Sequence, residues 1–167
     1  MPNQRLEQLE KILNLEYEKL GEWEIELAMS ASPPLKTEMK QRIREQILPS
    51  IRKYEAEYWR LLAQEARFCE VPEEDASNAI VEVVREVELI ETNSSASHLD
   101  NKVIQLLQEI LDKLKEPKTP ASAKAKLVLP LLPGILSYEM ELDTGNGLRR
   151  AFQPLGRVLK GALDEKK

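Results

Sequence analysis

The longest uncharged run in the chain, Leu127 to Tyr138, is twelve residues long. A helix that crosses a bilayer needs about 20 apolar residues, so this run is too short to span one. It sits in a wider block from Lys124 to Leu142 that carries Pro130, Pro133 and Gly134. Proline has no backbone N–H and clashes with the carbonyl four residues earlier, so the block cannot be one continuous helix. Such a segment is folded into a core, offered as a docking surface, or turned towards lipid. An apolar block in a soluble chain is most often core, and burial of Leu129, Leu132 and Ile135 is the expectation. Its local structure reads two ways. Tyr138, Met140 and Leu142 alternate with Ser137, Glu139, Glu141 and Asp143, the period of a half-buried strand, and a short β-hairpin over 124–143 is one reading. Ile135, Tyr138 and Leu142 also share a helical face, with Pro133 able to open a helix, and a helix is the preferred reading because an isolated two-stranded hairpin is marginal.

The rest of the chain is written for helices. Charged residues make up 32% and aromatics 5%, with only six glycines in 167 residues, a balance that favours helix. Over residues 3–31, Leu6, Leu13, Leu20 and Leu27 recur every seven positions, with Leu9 and Trp23 at a second register where Glu16 interrupts. That is the seam two packed helices require. Pro33-Pro34 ends this helix. Residues 35–68 supply a return helix, with Met39, Ile43, Ile47, Ile51, Tyr54, Tyr58 and Leu61 or Leu62 at spacings of three or four, and Pro49 should kink it near Glu45. The expected fold is mainly α: a long antiparallel, coiled-coil-like helical hairpin over 1–69, then a C-terminal group of shorter helices over 70–167.

In that second region Glu73, Glu74 and Asp75 follow Pro72 as a helix start, and the helix carries Ala79, Ile80, Val83, Val84, Val87 and Ile90 on one side. Thr92 to Ser97 reads as a linker with Ser97 an N-cap. The next helix, reaching about Lys115, bears a wide stripe from Leu99 through Val103, Leu106, Leu107, Ile110, Leu111 and Leu114. Glu116 to Ala123 is a second linker. Asp143 to Gly147 reads as a turn, and Leu148, Phe152, Leu155, Leu159 and Leu163 mark a last helix with Arg149, Arg150, Arg157 and Lys160 on its polar face, broken or bent at Pro154.

Chemistry is sparse. His98 is the only histidine and Cys69 the only cysteine, so there is neither a metal-ligand set nor a thiol–imidazole pair of ordinary spacing. His98 reads as a solvated helix-start residue and Cys69 as a small packed side chain. Glu139, Glu141 and Asp143 would share a face if extended, but no calcium-loop spacing accompanies them. No phosphate loop or cofactor motif is present. The expectation is a non-enzyme with no cofactor.

Charge is uneven. Residues 70–117 hold 12 acidic and 4 basic side chains, and 118–167 hold 9 basic and 5 acidic. The basic end could face an anionic partner, but an overall charge of −5 argues against nucleic acid. A membrane surface is better motivated, because the basic helix adjoins the apolar block. The chain opens into charged helix with no apolar signal segment, and a cytoplasmic location is expected.

Two runs carry a family resemblance. Arg52 to Ala63 (Arg-Lys-Tyr-Glu-Ala-Glu-Tyr-Trp-Arg-Leu-Leu-Ala) resembles the end of a helical-hairpin region found beside signalling NTPase modules of the STAND type, NACHT and similar, in cyanobacteria. Ala125 to Asp143 (Ala-Lys-Leu-Val-Leu-Pro-Leu-Leu-Pro-Gly-Ile-Leu-Ser-Tyr-Glu-Met-Glu-Leu-Asp), followed by a short basic helix, resembles a C-terminal element of small adaptor or effector-associated proteins of the same systems. Together they cover about half the chain and assign no catalytic residue. The resemblance implies a non-enzymatic helical adaptor, with any NTP-driven step belonging to a partner. The interaction module expected from all this would use the hairpin seam for self-association or a protein partner. Its contact residues would be Trp23, Tyr54, Tyr58, Trp59, Leu131, Leu132, Ile135, Arg149 and Arg150, with Trp23 and Trp59 exposed. The alternative is a membrane-active effector built on residues 127–142 and the last helix.

Overall fold

The computed structural model describes residues 2–93, 101–136 and 142–165. Helices α1 (Pro2–Met29), α2 (Pro33–Arg42), α3 (Leu48–Ala66), α4 (Glu73–Asn93), α5 (Asn101–Lys115), α6 (Ala121–Val128), α7 (Leu132–Leu136) and α8 (Leu142–Glu165) are joined by a π turn (Ile43–Ile47) and a 3₁₀ turn (Leu129–Leu131). The fold is mainly α, and no strand occurs among the described residues. Two compact units divide the chain, Met1–Tyr58 and Trp59–Lys167. The boundary lies inside α3, and Trp59, Leu62 and Ala66, on its far side, are buried.

In the first unit the leucine repeat does what its spacing predicts. Leu6, Leu9, Leu13 and Leu20 are buried, as are Met39, Ile43, Ile47, Leu48 and Ile51, and α1 packs on α2 and the π turn. Trp23 and Leu27 are half-buried, so the seam is driest towards the start of α1. Pro33 and Pro34 both end α1 and begin α2: they occupy the first helical positions after Ser32, where a missing amide leaves no bond unmade. The Lys36 N–H closes the first turn on the Ser32 carbonyl at 3.0 Å.

The expected disturbance at Pro49 takes a definite form. Pro49 cannot donate to the Glu45 carbonyl, and the chain answers one turn earlier by widening to a π turn in which the Leu48 N–H bonds the Ile43 carbonyl. The helical path therefore continues from Pro33 to Ala66 without a coil break. Single π turns of this kind absorb one residue's worth of register inside an α-helix.

In the second unit α4 packs chiefly on α8 and α6, and α5 on α6 and α7. The block from Lys124 is helical through Leu136: α6, one 3₁₀ turn at Leu129-Pro130-Leu131, then α7. The β-hairpin alternative does not hold for residues 124–136, and Ser137 to Glu141 lie outside the described residues. Leu129, Leu132 and Ile135 are each 0% exposed, so the block is core. The 3₁₀ turn puts Pro130 where its missing amide falls between two helices, and Pro130 itself is exposed.

The turn expected at Asp143 to Gly147 is also corrected: these residues form the start of α8. Two glycines lower the local propensity by roughly 1 kcal/mol each. Leu148, Ala151, Phe152, Leu155, Leu159, Ala162 and Leu163, all buried on the same helix, outweigh that at roughly 1.5–3 kcal/mol for each large side chain. A Cβ at Gly147 would stand 3.5 Å from Cδ1 of Ile90, an ordinary packing distance, so no close approach demands glycine there. Pro154 lies inside α8 and is buried, so it does not break the helix. The linker after α5 is shorter than expected, since α6 already begins at Ala121.

Candidate protein-interaction surfaces

Polar side chains cross the apolar seam of the first unit between α1 and α3. Glu55 is 1% exposed, and its Oε2 accepts a bond from the Tyr17 hydroxyl at 2.9 Å. Towards the start of α1 the crossing is repeated twice in half-buried positions. Arg5 grips Glu57 with two parallel bonds, Nε to Oε1 at 2.7 Å and Nη2 to Oε2 at 2.9 Å, and the Tyr58 hydroxyl donates to Glu10 at 3.3 Å. The fork geometry of guanidinium against carboxylate is the strong form of such a pair, and the Glu57 bond raises the Arg5 pKa above its ordinary value. A buried carboxylate is costly unless bonded. These contacts therefore set which residues of α1 and α3 meet, where leucines alone would tolerate a slip.

The second unit holds its turns by borrowed carboxylates. Pro120 precedes α6 and offers no side-chain acceptor, and the Glu73 carboxylate, first residue of α4, takes bonds from the Ala121 and Ser122 amides at 2.7 and 2.9 Å. Those amide bonds hold the Glu73 carboxyl below its ordinary pKa, as an anion at a helix N-terminus should be. Glu116 does the same for the turn before α6. It accepts from the Lys118 amide at 2.9 Å and from the Thr119 hydroxyl, and the hydroxyl bond is the larger cause of its lowered pKa. Lys126 donates to the Cys69 carbonyl, three residues beyond the end of α3. Lys115 pairs with Glu88, and Gln108 donates to Glu91 at 3.2 Å. Burial, then the neighbouring Glu88 charge, raises the Glu91 pKa.

The expected contact residues differ in their exposure. Trp23 is half-buried, with the Arg42 guanidinium 5.9 Å from its ring centroid. Tyr54 and Tyr58 are half-buried, and the Lys53 ammonium lies 5.6 Å from the Tyr54 ring. Arg149 is half-buried and Arg150 exposed. Trp59 is not exposed: it is 6% accessible and its ring lies against Gly156 of α8. Leu132 and Ile135 are fully buried and cannot dock a partner in this fold, and Leu131 is half-buried. The physical reason is common to all three buried residues. Each is large and apolar: α8 reaches Trp59 from far along the sequence, and α7, which carries Leu132 and Ile135, packs on α5 and α8.

Cys69 is buried. His98, Ser97, Leu99, Glu139 and Glu141 lie outside the described residues, and of Asp143 only its helical backbone is described. Among the described residues no group of three or more His, Cys, Asp or Glu side chains could hold a metal ion, and no helix is long and apolar enough to cross a membrane.

A different surface emerges on α1. Leu15, Ile25 and Met29 are 59%, 61% and 81% exposed, and with exposed Glu18 and Glu22 they fall at spacings of three, four, three and four. That is a second heptad stripe on the side of α1 opposite the buried leucines. The seven-residue repeat of Leu6, Leu13, Leu20 and Leu27 drew attention to the inner stripe, and the interval between Leu15 and Ile25, filled by two glutamates, hid the outer one. In the second unit Phe68 and Leu127 are also exposed, at 75% and 55%, each next to a residue of the Lys126–Cys69 bond. No protein-family model matches the chain, and neither a curated protein nor a solved structure matches it.

Proposed function

We propose that this chain is a non-enzymatic helical interaction module, a cytoplasmic adaptor whose first unit acts as a helical hairpin and presents the outer stripe of α1 to a protein partner. The observation that carries the reading is the pattern of α1 itself. One heptad stripe is consumed by the unit's own core, while a second, on the opposite side, exposes three large apolar side chains between glutamates. Amphipathic helices recognise partners through anchors at this spacing. A signalling NTPase assembly is the setting suggested by the sequence resemblance, and the NTP-driven step would lie in that partner.

The membrane-surface alternative draws less support. Its apolar contacts were to come from residues 127–142, and Leu129, Leu132, Ile135 and Leu136 already spend their surface inside the protein. Site-specific photo-crosslinking decides the matter. A photoreactive residue at position 22 of α1 should yield a discrete protein adduct in native host cells, lost when Met29 is changed to Glu. Adducts only to lipid, or none from positions 18, 22 and 26 alike, would refute the reading.

A further inference from the structure

We propose that the partner of the α1 outer stripe is a second copy of this chain, docked antiparallel on the outer face of α2 and the π turn. The inference rests on the interaction-module reading and names its partner. It starts from charge. Residues 15–29 carry five acidic side chains and one basic, a net −4, and residues 33–53 carry six basic and two acidic, a net +4. Complementary segments of this kind within one sequence favour like copies meeting head to tail.

Geometry then sets the register. Lys40 and Arg44 are exposed and line a shallow depression with Thr37, Gln41 and Glu45. They stand four residues apart on one helix, as Glu18 and Glu22 do on α1. At 1.5 Å rise per residue both pairs are about 6 Å long. With a copy's α1 laid antiparallel so that Glu22 meets Lys40, Glu18 meets Arg44. The same register brings Met29 to Pro33 and Ile25 to the neighbourhood of Leu35, which is 47% exposed. Apolar anchors therefore meet apolar surface at one end, while acidic and basic side chains meet at the centre. Each copy carries the two halves of the contact on opposite sides of its first unit, so docking is head to tail and can repeat from copy to copy.

Sedimentation equilibrium of the full chain tests this. The expected weight-average mass rises with concentration from the 19.1 kDa of one chain to twice that and beyond, with the dissociation constant of the contact rising about tenfold or more between roughly 50 mM and 500 mM NaCl, as screening shortens the reach of the charges. The paired change Glu18→Lys with Glu22→Lys should give a monomer, and so should Lys40→Glu with Arg44→Glu. All four positions are exposed, and circular dichroism verifies that each variant keeps its helix content. Mixing the two variants should restore association, because the reversed α1 of one then meets the reversed α2 of the other. A monomer for the unaltered chain up to about 300 μM, an assembly indifferent to both reversals, or a mixture that stays monomeric overturns the proposal. A monomeric chain that still forms the protein adduct at position 22 leaves the interaction-module reading standing and overturns only the second copy as its partner.

Discussion

Gly156 and Gly161 stand on the same helix, and substituting alanine at each should move stability in opposite directions. A Cβ added at Gly161 meets nothing within 4 Å, and one added at Gly156 would stand 2.9 Å from Cη2 of Trp59 and 3.4 Å from Cζ3. Alanine in place of glycine inside a helix gains roughly 0.8–1.0 kcal/mol from propensity alone. Gly161→Ala should show that gain almost undiluted. At Gly156 the same gain is opposed by overpacking, which costs about 1–3 kcal/mol in a filled core. Trp59 has little freedom to yield, being only 6% exposed and built on a rigid ring. Gly156→Ala should therefore be neutral to about 2 kcal/mol destabilising, and the gap between the two variants about 1–3 kcal/mol. At roughly 2–4 °C per kcal/mol for a chain of this size, thermal melts followed by far-UV circular dichroism resolve it. Trp59 fluorescence, read in a Trp23→Phe background, reports the local shift. In a Trp59→Leu background, itself less stable, the further cost of Gly156→Ala should largely vanish, a coupling visible in a double-mutant cycle. If Gly156→Ala stabilises as much as Gly161→Ala, the tryptophan does not rest on this glycine and the account of the second core is wrong.

Other perturbations test other parts of the fold. Leu132→Ala, at a fully buried site in the former docking candidate, should cost about 2–5 kcal/mol in chemical denaturation; a change below about 1 kcal/mol would mean the block is not core. Pro49→Ala should restore an amide for the Glu45 carbonyl and stabilise by up to about 3 kcal/mol, unless packing of Ile47 and Leu48 requires the π turn, in which case stability falls. The Glu73 and Glu116 carboxyls have folded pKa values below the ordinary 4.5, so their contribution is present above that value and is lost as pH falls through the lowered ones. Glu73→Gln should accordingly flatten the acid limb of the stability profile below about pH 4.5, and an unchanged acid limb would sink the capping role. Glu91 has the opposite sign: burial raises its pKa, so ionisation above the ordinary value weakens the fold, and Glu91→Gln at pH 7 should leave stability equal or higher.

The helices were legible where sequence-local forces decide. The leucine repeat of α1, the acidic start of α4 and the stripe of α5 all fall where their spacing puts them, and the apolar block is core as its composition predicts. Misreadings arose where a distant residue decides. Asp143 to Gly147 has the composition of a turn, but α8 takes it because the apolar face that follows needs a partner in α4. Trp59 looks like a surface aromatic beside Arg60 until Gly156 supplies the flat spot that receives it. The outer stripe of α1 was visible in principle, at the same period as the inner one, but its two glutamates disguise it as an ordinary solvated face. Nothing in local spacing announces that Glu73 would cap α6 or that Tyr17 would reach Glu55.

The loan of the Glu73 carboxylate to α6 also dictates an order of events during folding. An eight-residue segment preceded by proline has neither the length nor the cap to nucleate alone, and its first amides find their acceptor 48 residues upstream. Residues 121–136 should therefore stay unstructured until α4 has formed and approached. In native-state hydrogen exchange the amides of α6 and α7 should open together at a lower free energy than those of α4. Each such opening would briefly release the leucines at 129 and 132 to solvent, so exposure of the most apolar stretch of the chain is tied to the docking of another helix and its first carboxylate.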